Sequence, residues 1–128
     1  YYLNILSRGI FSIEFDDILN ETISNGLGNV AFDTLSGGEK KKVSLAVMLS
    51  LNDLLRLSGK DKSNIIFFDE VADSLDREGV KGLCELIDEL KQDKKVFIIS
   101  HNEYLTSIIE DKATELVVKK SQGTTSFS

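Results

Sequence analysis

The 128 residues carry a formal net charge of -6, and the isoelectric point is about 4.8, so the bulk charge disfavours anionic membranes and non-specific nucleic-acid binding. Hydrophobic residues make up 41% of the chain, which suits one folded domain rather than a disordered segment, and no apolar run approaches the roughly 20 residues of a membrane helix. The single cysteine, Cys84, excludes an intrachain disulfide and fits a reducing, cytoplasmic compartment.

The chain opens on Tyr1 rather than Met, and is expected to be part of a longer one. Tyr1 to Leu6 reads as the last turns of a helix, stopped at Ser7-Arg8-Gly9. Ile10 to Phe15 alternates, with Phe11, Ile13 and Phe15 on one side, as a half-buried strand does. Asp16-Asp17 turns the chain, and Ile18 to Ser24 reads as a second strand or a short helix, the strand being favoured because a hairpin would bury the phenylalanine face. Asn25-Gly26 and Gly28-Asn29 signal further turns.

Leu35-Ser36-Gly37-Gly38-Glu39-Lys40 precedes a helical pattern that runs to about Leu57. Glycines let backbone N–H groups come close to an anion, and a helix start offers unpaired donors and partial positive charge. The stretch therefore fits a phosphate cradle, although read alone it is better explained as a simple serine cap by Ser36. Lys40, Lys41 and Lys42 crowd the first turn, where positive charge opposes the helix dipole; they read either as a solvated face or as contacts to a polyanion or an acidic neighbour. From Val43 to Leu57 apolar residues fall on nearly every side, which predicts a helix buried on most sides.

Beyond a polar loop, Ile65-Ile66-Phe67-Phe68 is an unbroken apolar run ending at Asp69-Glu70. Such a run predicts a parallel strand covered on both faces. Asp76 is a credible cap for an amphipathic helix through Val80, Leu83, Ile87 and Leu90, with Cys84 packed inside it. Val96-Phe97-Ile98-Ile99 is a second apolar strand, ending at Ser100-His101. Strand, helix and strand make a right-handed crossover unit with both strand tips at one edge, where α/β proteins bind ligands. A short helix at Glu103 to Glu110, a strand at Glu115 to Lys119, a turn at Gln122-Gly123 and a last strand at Thr124 to Phe127 complete the chain.

That edge gathers two acids, Ser100 and the only histidine of the chain. Strand-tip carboxylates can hold Mg²⁺ or act on a water, provided the strand ends at Asp69 and the backbone turns there; the bland reading is a solvated acidic loop. His101 is either a hydrogen-bonded structural residue or a donor to phosphate.

Together these stretches resemble the motifs of ABC-type ATPases. Leu35 to Glu39 resembles the signature motif, Ile65 to Glu70 the Walker B strand with its glutamate, Ser74-Leu75-Asp76 the D-loop, and Ser100-His101 the switch histidine. Glu39-Lys40 and Val71-Ala72, where transporters usually carry Gln and Pro-Thr, resemble the chromosome-maintenance (SMC) and DNA-repair branch, above all the SbcC-like heads of double-strand-break-repair nucleases and of bacteriophage recombination exonucleases. No Gly-x-x-x-x-Gly-Lys-Ser/Thr loop is present; in the family it lies in the N-terminal half of the head.

The resemblance implies an α/β, P-loop NTPase-like C-terminal half-domain: a mainly parallel sheet flanked by helices, with an N-terminal and a C-terminal β-hairpin. Residues 1–9 would end a coiled-coil arm, and 10–128 would form the C-terminal lobe of the head. ATP and Mg²⁺ are the implied cofactors. Asp69 would hold Mg²⁺ through water, Glu70 would polarise the attacking water, and His101 would contact the γ-phosphate. Ser36, Gly37, Gly38 and Glu39 would cap ATP bound to the opposite subunit, with Asp76 in that dimer interface. The implied partners are the N-terminal half of the same head, a second head joined through ATP, a nuclease subunit and, through the assembled complex, DNA; no membrane is implied, and for a phage protein the compartment is the host cytoplasm. The alternatives are a transporter nucleotide-binding domain and a non-catalytic dimerisation module.

Overall fold

The computed structural model describes residues 1–59, 63–121 and 124–127. Helix α1 (Tyr2–Leu6) ends as its sequence predicts, with Arg8 and Gly9 both left-handed at φ 57 and 83. The Gly9 N–H reaches back to the Asn4 carbonyl at 2.7 Å, so the last carbonyls are satisfied.

Strands β1 (Phe11–Phe15), β2 (Glu21–Asn25) and β3 (Gly28–Val30) form an antiparallel meander, one strand more than a hairpin. β2 starts at Glu21 rather than Ile18 because Asp16 takes residues 16–20 into its turn, its carboxylate accepting the N–H groups of Ile18 at 2.9 Å and Asn20 at 2.8 Å. The meander buries Phe11 and Ile23, while Phe15 stays exposed, so the expected phenylalanine face is covered at one end only.

Helix α2 (Gly37–Leu57) packs on α1 and buries Val43, Leu45, Ala46 and Leu49 in the core. The expectation of burial on most sides is corrected here: Met48, Leu51, Leu54 and Leu55 are exposed. Helix α3 (Arg77–Leu90) links β4 (Ile65–Asp69) to β5 (Lys95–Ile99), and these two strands pair in parallel, in register from Ile65 opposite Lys95 to Asp69 opposite Ile99. Their inner face carries Ile66 and Phe68 into the core. Their outer face is open, with Phe67 and Phe97 stacked at 4.9 Å between ring centroids and 62% and 40% exposed. The predicted cover on both faces is therefore half met: one face of the pair is buried and the other is open. Each apolar side chain left partly out on that face forgoes about half of the roughly 1.5–3 kcal/mol that complete burial would give.

Helix α4 (Glu103–Ile109) adds Leu105 to the core, and β6 (Val118–Ser121) pairs antiparallel with β7 (Thr124–Phe127). β6 starts three residues later than the strand expected at Glu115; the expected turn at Gln122-Gly123 lies outside the described residues. Among the described residues, the β4–β5 sheet is parallel as expected but holds two strands only, and the antiparallel strands lie in separate sheets before and after it. No helix among them is long and apolar enough to cross a membrane.

The crossing of α1 over α3 is set by Gly82. A Cβ there would stand 2.6 Å from the Ile5 carbonyl oxygen and 2.9 Å from the Leu6 Cα, both backbone atoms that cannot turn aside. Gly82→Ala gains helix propensity but forces the helices apart, so we expect a net loss of about 1–2 kcal/mol in urea unfolding. Equal or greater stability in that variant would contradict the close crossing.

Candidate nucleotide site

The strand tips meet as the spacing predicts. Asp69 lies directly opposite Ile99, and the Glu70 N–H donates to the Ile99 carbonyl at 2.7 Å, adding one bond beyond the last strand pair. Glu70 then turns left-handed, with φ 51 and ψ 24. A non-glycine residue adopts this conformation at a cost of about 1–2 kcal/mol. The turn brings Asp69 and Glu70 to one edge although successive strand residues alternate. His101 joins them, its Nε2 3.9 Å from Glu70 Oε1, both side chains being largely exposed.

Ser100, already at the strand tip in the sequence, and Asn102, which the sequence reading passed over, hold these tips. Ser100 Oγ donates to Asp73 Oδ1 at 3.1 Å, and the Asn102 amide donates to the Ala72 carbonyl at 3.2 Å. Asn102 also caps α4, accepting the Leu105 N–H at 2.9 Å. An Asn directly before a helical Glu is a cap signal that could have marked it.

A second group surrounds an open cleft of about 460 Å³ between the start of α2 and the 73–76 segment. Ser36 caps α2 reciprocally with Glu39: its Oγ accepts the Glu39 N–H at 3.3 Å, and its own N–H donates to Glu39 Oε2 at 2.7 Å. Contacts with Ser36, first its side chain and then its N–H, hold the Glu39 carboxyl below its ordinary range. Gly37 faces open space, and a Cβ on Gly38 would lie 3.5 Å from the Ser74 carbonyl. Asp76 caps α3 through the Gly79 N–H at 2.8 Å.

The lysine triplet divides. Lys40 Nζ donates to the Asp33 carbonyl at 3.1 Å and lies over the Phe32 ring. Lys42 is buried, with Nζ 2.8 Å from Asp76 Oδ1, so the reading of the triplet as a solvated face does not hold for it. Its spacing was a usable signal, since 42, 46 and 49 recur on one helical face.

The structure thus collects Asp69, Glu70 and His101 at one edge, and Ser36, Gly38, Glu39 and Asp76 around one cleft that none of the first three lines. Among the described residues no group of three or more His, Cys, Asp or Glu could hold a metal ion by itself. One or two tip carboxylates fit Mg²⁺, which keeps several waters and shares its shell with phosphates.

A parallel strand pair with acids at its carboxyl tips, and a glycine-bearing helix start on a separate cleft, are the features by which α/β folds bind nucleotides. The family described as "RecF/RecN/SMC N terminal domain" matches residues 8–126, and the chain belongs to this SMC-like family of ABC-type ATPase heads. It is 32% identical over 106 residues to exonuclease subunit 2 of Enterobacteria phage T4, covering 81% of this chain and 19% of that protein. It is 39% identical over 77 residues to the energy-coupling factor transporter ATP-binding protein EcfA1 of Staphylococcus saprophyticus, covering 60% of this chain and 25% of that one. The SMC head domain from Thermotoga maritima superposes with a TM-score of 0.67 at 23% identity, covering 99% of this chain and 43% of that one, a likeness of fold.

The Lys42 ammonium, then the Gly79 N–H, hold the Asp76 carboxyl below the usual carboxylate range. A depressed native pKa adds stability that is complete above the unfolded value of about 4 and is lost as pH falls through the native value. Asp76→Asn keeps the cap and removes the charge. The stability gap between the parent and this variant should therefore narrow as pH falls from 7 toward 2 in urea unfolding, and a constant gap would contradict the assignment.

Proposed function

We propose that this chain is the C-terminal half of the ATP-hydrolysing head of a DNA repair or recombination nuclease complex. The observation that carries the reading is the strand-tip geometry: Asp69 in register with Ile99, and Glu70 turned left-handed beside His101. The absent phosphate loop and the open Phe67/Phe97 face support a missing half of the head, although the family's description names an N-terminal domain. In this reading residues 1–9 end a coiled-coil arm, and 10–128 are the C-terminal lobe, which the N-terminal half completes.

Each side chain then has a task at the triphosphate. Asp69 holds a hydrated Mg²⁺, which when bound neutralises charge on the phosphates. Glu70 orients a water and accepts its proton. His101 donates to a γ-phosphate oxygen. The Ser36 hydroxyl retains its own proton for donation while Oγ accepts from Glu39, and with the Gly37 and Gly38 N–H groups it offers donors to the phosphate held by a second head. Glu39 keeps that turn in shape, and Asp76 lies at the same interface. ATP joins two heads, and its hydrolysis releases them. The match to a phage exonuclease subunit supports a nuclease partner, DNA contact through the assembled complex and a host-cytoplasmic setting.

The match to EcfA1 favours a second reading, a transporter ATPase, for which the N-terminal neighbour would be a transporter-type lobe. A heptad-patterned helix upstream of Tyr1 supports the first reading.

In the full-length protein, Glu70→Gln should abolish ATP turnover while ATP-bound dimers persist, read by phosphate release and by sedimentation. Undiminished hydrolysis in that variant would refute the role of Glu70. Mixing this chain with its N-terminal half should restore Mg²⁺-dependent hydrolysis that neither part shows alone.

A further inference from the structure

Lys42 is 6% exposed, whereas the side chain of its partner Asp76 is 65% exposed. Burying an ammonium group costs more than leaving it on the surface, and a pair with one solvated partner returns little net stability. The sequence nevertheless builds a seat for this lysine. A Cβ on Gly79 would lie 2.7 Å from Lys42 Cε, 2.9 Å from Asp76 Oδ1 and 3.2 Å from Leu75 Cβ. Only glycine at that place leaves the lysine stem its path to the carboxylate, and the same Gly79 donates its N–H to the oxygen that Lys42 reaches.

The seat joins two pieces of chain that are distant in sequence. Lys42 belongs to the helix that Ser36 caps, and Asp76 ends the segment that runs from the Asp69-Glu70 tip. Both line one cleft with Ser36, Gly38, Glu39 and Asp73. Gly38 faces the Ser74 carbonyl across that cleft, where an added Cβ would lie 3.5 Å from the oxygen, so the two walls stand about one side-chain atom apart.

We propose that Lys42 is a positioning residue, seated by Gly79, that fixes the Ser36-Gly37-Gly38 turn against Asp76 so that both meet a second head together. The inference rests on the reading of this cleft as the face turned to a partner-bound phosphate. Lys42 touches no phosphate itself; it acts through the two walls it ties. Its loss should weaken ATP-driven pairing of heads and leave the nucleotide affinity of single heads unchanged.

The test uses the full-length protein carrying Glu70→Gln, so that hydrolysis does not dissolve the dimer. Lys42→Met keeps an apolar stem in the seat and releases Asp76 to water, and Gly79→Ala keeps the lysine but fills its seat. Sedimentation with ATP and Mg²⁺ gives the dimer affinity, a fluorescent ATP analogue gives binding to dilute single heads, and thermal melting reports the fold. Each variant should weaken the dimer by about tenfold, the size of one charge-assisted hydrogen bond, with single-head binding unchanged and a cooperative melting transition retained. The double variant should be no worse than the weaker single one, since both remove the same contact. Parental dimer affinity in Lys42→Met, loss of its folded state, equal loss of single-head binding, or additive effects in the double variant would each overturn the proposal. If the Glu70→Gln parent itself fails to dimerise with ATP, the underlying reading fails and the inference falls with it.

Discussion

Parallel pairing of β4 with β5 is the constraint on which the rest of this chain depends. Parallel strands end at the same edge, and the register that sets Asp69 against Ile99 brings two acids and the histidine to one rim. The bond from the Glu70 N–H to the Ile99 carbonyl extends that pairing by one residue. It also holds Glu70 where the backbone must turn left-handed. Strain of this kind persists only where the surroundings over-determine it. Here the Ser100–Asp73 and Asn102–Ala72 contacts supply the surrounding bonds.

Helix α3 carries that edge into the rest of the fold. Its cap, Asp76, receives Lys42 from α2; its first turn offers Gly79 as room for that lysine; and one turn on, Gly82 lets α1 approach backbone to backbone. Around α1 further polar ties close the layer: Tyr2 donates to Asp53, Lys94 reaches Asn52 at 3.0 Å and Asp53 at 3.4 Å, and Arg8 pairs with Glu85. Burial, and then the hydrogen bond to Asp53, raise the Tyr2 phenol well above its ordinary pKa, so the phenol keeps its proton and remains the donor. The start of α2, the cap of α3 and the end of α1 are thus one packed unit.

Much of this was legible in the residues. The apolar runs at 65–68 and 96–99 define β4 and β5, because a strand stopped by acids or by Ser-His has few other uses. Asp76 and Gly9 mark helix ends through capping chemistry that is local by nature. The errors concern what lies outside a local window. Phe67 and Phe97 read as buried because an apolar run does not say whether its second cover belongs to the same stretch of chain. The outer side of α2 misled for the same reason. The lysine triplet read either as a solvated face or as contacts to a polyanion or an acidic neighbour; Lys42 meets the acidic neighbour, but its partner lies too far along the chain for the residues to single it out, and Gly79 gave no sign beyond being a glycine in a first helical turn. The start of β2 was misplaced because Asp16 closes a longer turn than the Asp-Asp pair suggested.

The central claim is that one chain offers two faces to two different nucleotides: the Asp69–Glu70–His101 edge to its own, and the Ser36 cleft to that of a second copy. The most direct measurement is a crystal structure of the full-length Glu70→Gln protein with ATP and Mg²⁺. The account predicts each γ-phosphate within hydrogen-bond distance of His101 of one protomer and of Ser36 of the other. A γ-phosphate touched by His101 and Ser36 of the same protomer, or by neither, would contradict it.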